Sequence, residues 1–226
     1  MSMTTVLPFS KLTDIWKYGK TMPSVVDQLE IQRLCRDCHA HPLACFMKIL
    51  AEILEIEDAT VLDLTYGIGE FYRYWHPRYL VAFDVVDWRK RNYRFVYMPD
   101  EFYETSFINA PQLLGDRRFD VVVFDPPYNI KPAAGLDAPR GRPWLYHGRE
   151  NLRLIVKHFP RVAKRYATRL VIVKFMDSRD VTVFDLVREF GRVPDNVVIW
   201  RRFRRYIPRR NVKIIKIHTY FLIWKL

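Results

Sequence analysis

Asp120-Val121-Val122-Val123-Phe124-Asp125-Pro126-Pro127-Tyr128 decides how this chain is read. Residues 121–124 form an unbroken apolar run rich in β-branched side chains. That is the pattern of a strand buried on both faces, not of one that alternates between core and water. The strand stops at Asp125, and two prolines follow that fix the backbone and remove two amide donors. What remains is a carboxylate, free carbonyl oxygens and an aromatic ring: hydrogen-bond acceptors beside a stacking surface. In an open parallel sheet, ligands sit beyond the carboxyl ends of the strands, so such a turn is a candidate site. A plain proline-rich turn after a strand is the simpler alternative, and the neighbouring strands weigh between the two.

Working outward, the pattern repeats. Thr60-Val61-Leu62-Asp63-Leu64 ends in a glycine-containing turn, and Tyr79-Leu80-Val81-Ala82-Phe83 ends at Asp84. Residues 93–97 alternate less cleanly, 169–175 form a fifth strand, and 197–200 and 214–224 complete the set. Helical spacing marks 150–166 and 181–190. Upstream, residues 24–38 carry Val25, Val26, Leu29, Ile31 and Leu34 at roughly helical intervals. A helix opening at Pro42 aligns Leu43, Phe46, Met47, Leu50, Ile53 and Leu54. Buried strands separated by helices predict an α/β fold with a doubly wound, mostly parallel sheet. The last two strands have no helix between them and predict an antiparallel hairpin closing the edge. Residues 1–58 are expected to form an arm and helical cap, and 59–226 the main domain. Half of the 226 residues are hydrophobic and 27% are charged, enough for one sizeable core, which excludes a disordered chain.

Three strands end in acids, and right-handed crossovers put those ends on one rim of the sheet. Gly67 and Gly69, after Asp63, let the backbone pass close to a ligand. Neither G-x-G-x-x-G nor a Lys-Ser/Thr ending is present, so this is not a phosphate cradle. An acid ahead of the turn suits a cationic or hydroxylated ligand instead. Asp84, 21 positions after Asp63, is placed to bind ribose hydroxyls. A tight turn or a capping acid would explain either one alone; three acids on one rim need a common explanation.

In motif, order and spacing the chain resembles the class I S-adenosylmethionine-dependent methyltransferases that modify exocyclic amines of nucleobases, over roughly residues 38–224. Asp63-Leu64-Thr65-Tyr66-Gly67-Ile68-Gly69 looks like their cofactor turn, with Thr65 where a glycine or phenylalanine is often seen. Asp84 is similar to their ribose-binding acid, and Asp125, Pro126, Pro127 and Tyr128 to their catalytic motif. His41 and Pro42 resemble the segment that closes over the methionine part of the cofactor, and Asp100 the contact to its adenine. The resemblance implies a Rossmann-like class I methyltransferase fold of seven strands, with S-adenosyl-L-methionine as cofactor. It implies methylation of a base amine in RNA or DNA. RNA is favoured, because DNA members usually carry a separate recognition region for which this chain has no room, whereas folded RNA supplies its own shape. Ribosomal RNA is the favoured substrate, with cytidine N4 slightly ahead of adenine N6 and guanine N2. A DNA N6-adenine or N4-cytosine methyltransferase is the alternative within the class. A basic nucleic-acid-binding module that kept the fold without the chemistry is the alternative outside it.

The charge points the same way. The net is +12, and it is uneven: residues 148–226 hold 20 Lys and Arg against 6 Asp and Glu, the remainder 17 against 19. Such asymmetry favours a polyanion, nucleic acid before an anionic membrane; a solvated basic surface is the alternative. Its densest part is a strip in which Arg201, Arg202, Arg204, Arg205, Arg209 and Arg210 interleave with Trp200, Phe203 and Tyr206. Arginines there would grip phosphates and aromatics would stack on bases. The loop 129–147 is expected to be a lid. The opening lacks a signal-peptide pattern, and three cysteines, an odd number, fit a reducing cytoplasm rather than a disulfide scaffold. The apolar stretch 214–226 is too short and too polar to span a bilayer. Cys35, Cys38, His39 and His41 lack clear partner ligands, so no metal is expected. Few Asn and Gln are compatible with a thermophile.

Overall fold

The computed structural model describes residues 24–27, 40–126, 149–178, 181–206 and 213–226. Pro127, Tyr128, the lid loop, Arg209, Arg210, Cys35, Cys38 and His39 lie outside the described residues. The elements are β1 (Ser24–Asp27), α1 (Pro42–Ile53), β2 (Thr60–Asp63), β3 (Tyr79–Asp84), β4 (Glu101–Glu104), α2 (Ala110–Leu114), β5 (Phe119–Phe124), α3 (Arg149–Tyr166), β6 (Ala167–Phe175), α4 (Val183–Phe190), β7 (Asn196–Tyr206) and β8 (Lys213–Lys225). They build one sheet in the order β1-β7-β8-β6-β5-β2-β3-β4. All pairings are parallel except those of β8, which is antiparallel to both β6 and β7. Chain order reverses at the β2/β5 pair. This is the Rossmann-like, class I methyltransferase arrangement.

Side chains alternate along each strand, so every central strand feeds two cores. Leu62, Val81, Phe83, Val122, Phe124, Val171 and Val173 face α2, α3 and α4, where Phe124 stacks on Phe159 at 4.4 Å and Phe190 on Trp224 at 4.1 Å. Val61, Ala82, Val121, Val123 and Ile172 face α1 and the turn residues Phe71, Tyr72 and Trp75. Helix α1 begins at Pro42, as the helical spacing predicts, and buries Phe46, Met47 and Leu50. A capping box of Thr182 and Asp185 starts α4, and Gly191 at φ 75° ends it. Among the described residues, no helix is long and apolar enough to cross a membrane.

Four expectations are corrected. Residues 93–97 form no strand; the strand beside β3 is β4. Phe95 and Tyr97 instead pack over the glycine turn, and the Val96 amide donates to the Ile68 carbonyl at 2.8 Å. Residues 24–27 are extended rather than helical, because β7 offers a long unpaired edge to a β-branched segment. Among the described residues the sheet has eight strands: the expected seven, with their antiparallel hairpin, and β1 added beyond the hairpin. Residues 200–206 of the basic strip are not a connection but the far half of β7, paired to β8 as far as Tyr206. The cysteine count argues against disulfides, yet Cys45 is disulfide-bonded.

Candidate active site at the carboxyl rim

Alternation brings the three acids together. Val61, Ala82 and Val123 share the α1 face, so Asp63, Asp84 and Asp125, each two positions further on, lie on that face at the carboxyl ends of neighbouring strands. Asp63 is buried, and its oxygens accept from the Thr65 amide and the Tyr72 hydroxyl, both at 2.8 Å. Burial pushes its carboxyl up to about 7 despite those two bonds, and the charges of Asp125 and Asp84 add to the rise. Asp84 accepts from the amides of Gly67 at 2.8 Å and Val86 at 3.0 Å, and burial pushes it up to about 6. Thr65, which departs from the commonest form of such a turn, serves as a brace, because its hydroxyl accepts from the Asp125 amide at 2.7 Å. The glycine turn and the Asp125 turn are thus tied directly.

Gly67 and Gly69 both take left-handed φ, 62° and 80°. A Cβ on Gly69 would collide with the Tyr66 ring, whereas one on Gly67 would meet nothing within 4 Å. Packing therefore requires Gly69, while Gly67 faces open space where a ligand can approach the backbone. His41, just ahead of α1, is 2.9 Å from Glu70 at the end of the turn, and Arg73 also pairs with Glu70 at 3.1 Å. This fixes the start of α1, with Pro42 beside His41, against the glycine turn. Asp100 is not brought to the site. It precedes β4, and its carboxylate accepts from the Leu80 amide at 2.7 Å, at the opposite, amino-terminal rim. The reason is the misread strand: with 93–97 not in the sheet, Asp100 enters a strand rather than leaving one.

Sequence reasoning missed Lys174. This lysine, next to last in β6, is buried, and its Nζ lies 2.5 Å from Asp125 Oδ2. A signal existed: a cation inside the otherwise apolar run 170–175 of β6 needs a partner. Tyr72 was also missed, and nothing in the sequence separates it from the surrounding aromatics.

The basic strip projects past the site. Phe175, the last residue of β6, is level with Tyr220 of β8 and hence with Ile199 of β7. Residues 200–206 continue beyond that level, roughly 23 Å at strand rise. β1 accompanies β7 only as far as Arg201. Among the described residues the hairpin is therefore a two-stranded ribbon beyond the carboxyl rim, with Arg202, Arg204, Arg205 and Tyr206 in its outer part.

The strand order is that of a Rossmann-like α/β fold with class I methyltransferase topology. No family model and no curated protein matches the chain. Solved structures similar to it include an rRNA methylase from Streptococcus thermophilus (11% identity, TM-score 0.42, 82% of this chain and 96% of that one). Another is a magnesium protoporphyrin IX methyltransferase from Synechocystis with bound SAM (13%, 0.43, 98% and 99%). A third is the N-methyltransferase NodS from Bradyrhizobium japonicum with S-adenosyl-l-homocysteine (10%, 0.45, 84% and 90%). At these identities and scores the likenesses say nothing of substrate.

Proposed function

We propose that the chain is an S-adenosyl-L-methionine-dependent methyltransferase acting on an exocyclic amine of a nucleobase, with RNA the favoured substrate and ribosomal cytidine N4 the leading target. The observation that carries this reading is the convergence of Asp63, Asp84 and Asp125 on one face at the sheet's switch point, next to an uncrowded Gly67. Buried carboxylates that resist ionisation alone suit a ligand that brings its own positive charge and hydroxyls. When bound, S-adenosyl-L-methionine supplies a methyl group on a cationic sulfur. In this reading Asp84 would hold the ribose, Asp63 would face the cationic end, and His41 and Pro42 would cover the methionine side.

An exocyclic amine is a poor nucleophile because its lone pair is delocalised into the ring. The Asp125 carboxylate and the Pro126 carbonyl accept its two N–H bonds, which favours a pyramidal nitrogen with an exposed lone pair. Positive charge then develops on nitrogen beside a carboxylate, an electrostatic stabilisation on the order of several kcal/mol in enzymes. The proton leaves to Asp125 or to water. Tyr128 would stack on the base, offsetting part of the cost of extruding it from a helix. The basic ribbon supplies phosphate contacts.

The test is transfer of labelled methyl from S-adenosyl-L-methionine to total RNA and, separately, to unmethylated DNA. Label in RNA that falls with Asp125→Ala, by about 100- to 1,000-fold, is the expected result. Label in DNA alone selects the DNA alternative. A fully active Asp125→Ala protein rejects the mechanism.

A further inference from the structure

We propose that Lys174 is a positioning residue for Asp125: its ammonium anchors one carboxylate oxygen and so sets the direction in which the other faces the reacting amine. The inference deepens the function proposed above and rests on it. Lys174 Nζ is 2.5 Å from Asp125 Oδ2, on a lysine that is only 8% exposed. By strand alternation Lys174 follows Leu170 and Ile172 onto the α1 face, the same face as the three acids. Its stem therefore runs through core packing and its head group has little freedom. The ammonium is also 5.4 Å from the centre of the Phe71 ring, within cation–π range. Phe71 belongs to the short helical turn Glu70–Tyr72 directly after Gly69. One cation therefore touches the acid of the β5 turn and the aromatic of the glycine turn.

The Asp125 main chain is held from the other side, through its amide to Thr65 Oγ1. Thr65 is in turn fixed by its own amide to Asp63. With backbone and one oxygen both anchored, the carboxylate plane is fixed before substrate arrives. Fixed geometry is what a reaction dependent on lone-pair direction requires, since a displacement of about 1 Å can cost on the order of 100-fold in rate. Lysine, with three donors on a compact charge, can anchor Oδ2 without covering Oδ1 in the way a bidentate arginine would.

The experiment compares wild type with Lys174→Met by calorimetric titration of S-adenosyl-L-methionine and by methyl transfer to the total RNA and unmethylated DNA pools. Cofactor affinity within about twofold of wild type, with kcat lowered on the order of 100-fold, is the expected result. This split separates positioning from a merely structural ion pair, which would lower the folded fraction and leave kcat per folded molecule alone. If Lys174→Met does not fold, Lys174→Gln keeps a donor and loses the charge. For it, kcat down by about tenfold at unchanged cofactor affinity supports the proposal, and unchanged kcat overturns it. A wild-type protein that methylates neither pool removes the proposed function and this inference together. Active wild type with an equally active Lys174→Met overturns this inference alone.

Discussion

At Gly69 the backbone stands at φ 80° and a methyl group would strike the Tyr66 ring. Gly69→Ala is expected to cost about 1–3 kcal/mol, read as a lowered denaturant midpoint, and to weaken cofactor binding, because the displaced turn also carries the Gly67 amide. Asp63 makes a different prediction. Its carboxyl ionises near 7 in the folded protein against 3.8 ordinarily. Between those values the native state keeps a proton that the unfolded chain has released, so stability falls as pH rises from about 4 to about 7 and levels off above. Asp84, raised to about 6, acts in the same direction. Asp63→Asn should flatten the decline in thermal midpoint, gaining on wild type at pH 8 and not at pH 4. Loss of midpoint by this variant at pH 8 would refute the assignment. The three acids were legible because their position after a buried strand is a property of sequence. Lys174 was harder to see, since its partner comes from another strand. Asp100 was misplaced because its meaning depended on which neighbouring segment entered the sheet.

At the scale of elements, β5 was plain in the sequence because nothing but a two-sided strand accommodates its apolar run. The segment 93–97 has similar aromatic content but serves as cover for the glycine turn, a role that local pattern does not distinguish from a strand. Segment 24–27 was misread as helical because its strand character comes from the edge it docks on, far away in sequence. The sequence places the basic strip between two strands, whereas its residues 200–206 continue β7. Its extension past β6 gives a prediction for the element: replacing Arg204 and Arg205 together with Ala should weaken binding to RNA and reduce the slope of log affinity against log salt by about 2, with cofactor affinity unchanged. Equal slopes for the two proteins in fluorescence titrations would remove the ribbon from the substrate surface.

For the whole molecule, the sheet divides two cores, and the proposed chemistry sits where only one of them reaches the rim. The face with α2, α3 and α4 is apolar to the ends of its strands, closing with Phe83, Phe124 and Phe175. On the α1 face, the side chains that follow Val61, Ala82, Val123 and Ile172 are Asp63, Asp84, Asp125 and Lys174. The apolar α2, α3 and α4 face thus ends in aromatics while the α1 face, itself a core below the rim, ends in charged groups.

The β1 pairing carries a consequence for how the molecule is made. Ser24 meets Val198, so this strand leaves the ribosome about 170 residues before its partner. At synthesis rates of about 5–20 residues per second, it waits on the order of ten seconds or more with its amides and carbonyls unclaimed. Its docking must also follow insertion of β8 between β6 and β7, because only then does β7 stand in the sheet. The first strand of the chain is thus the last seam to be sewn on its edge of the sheet.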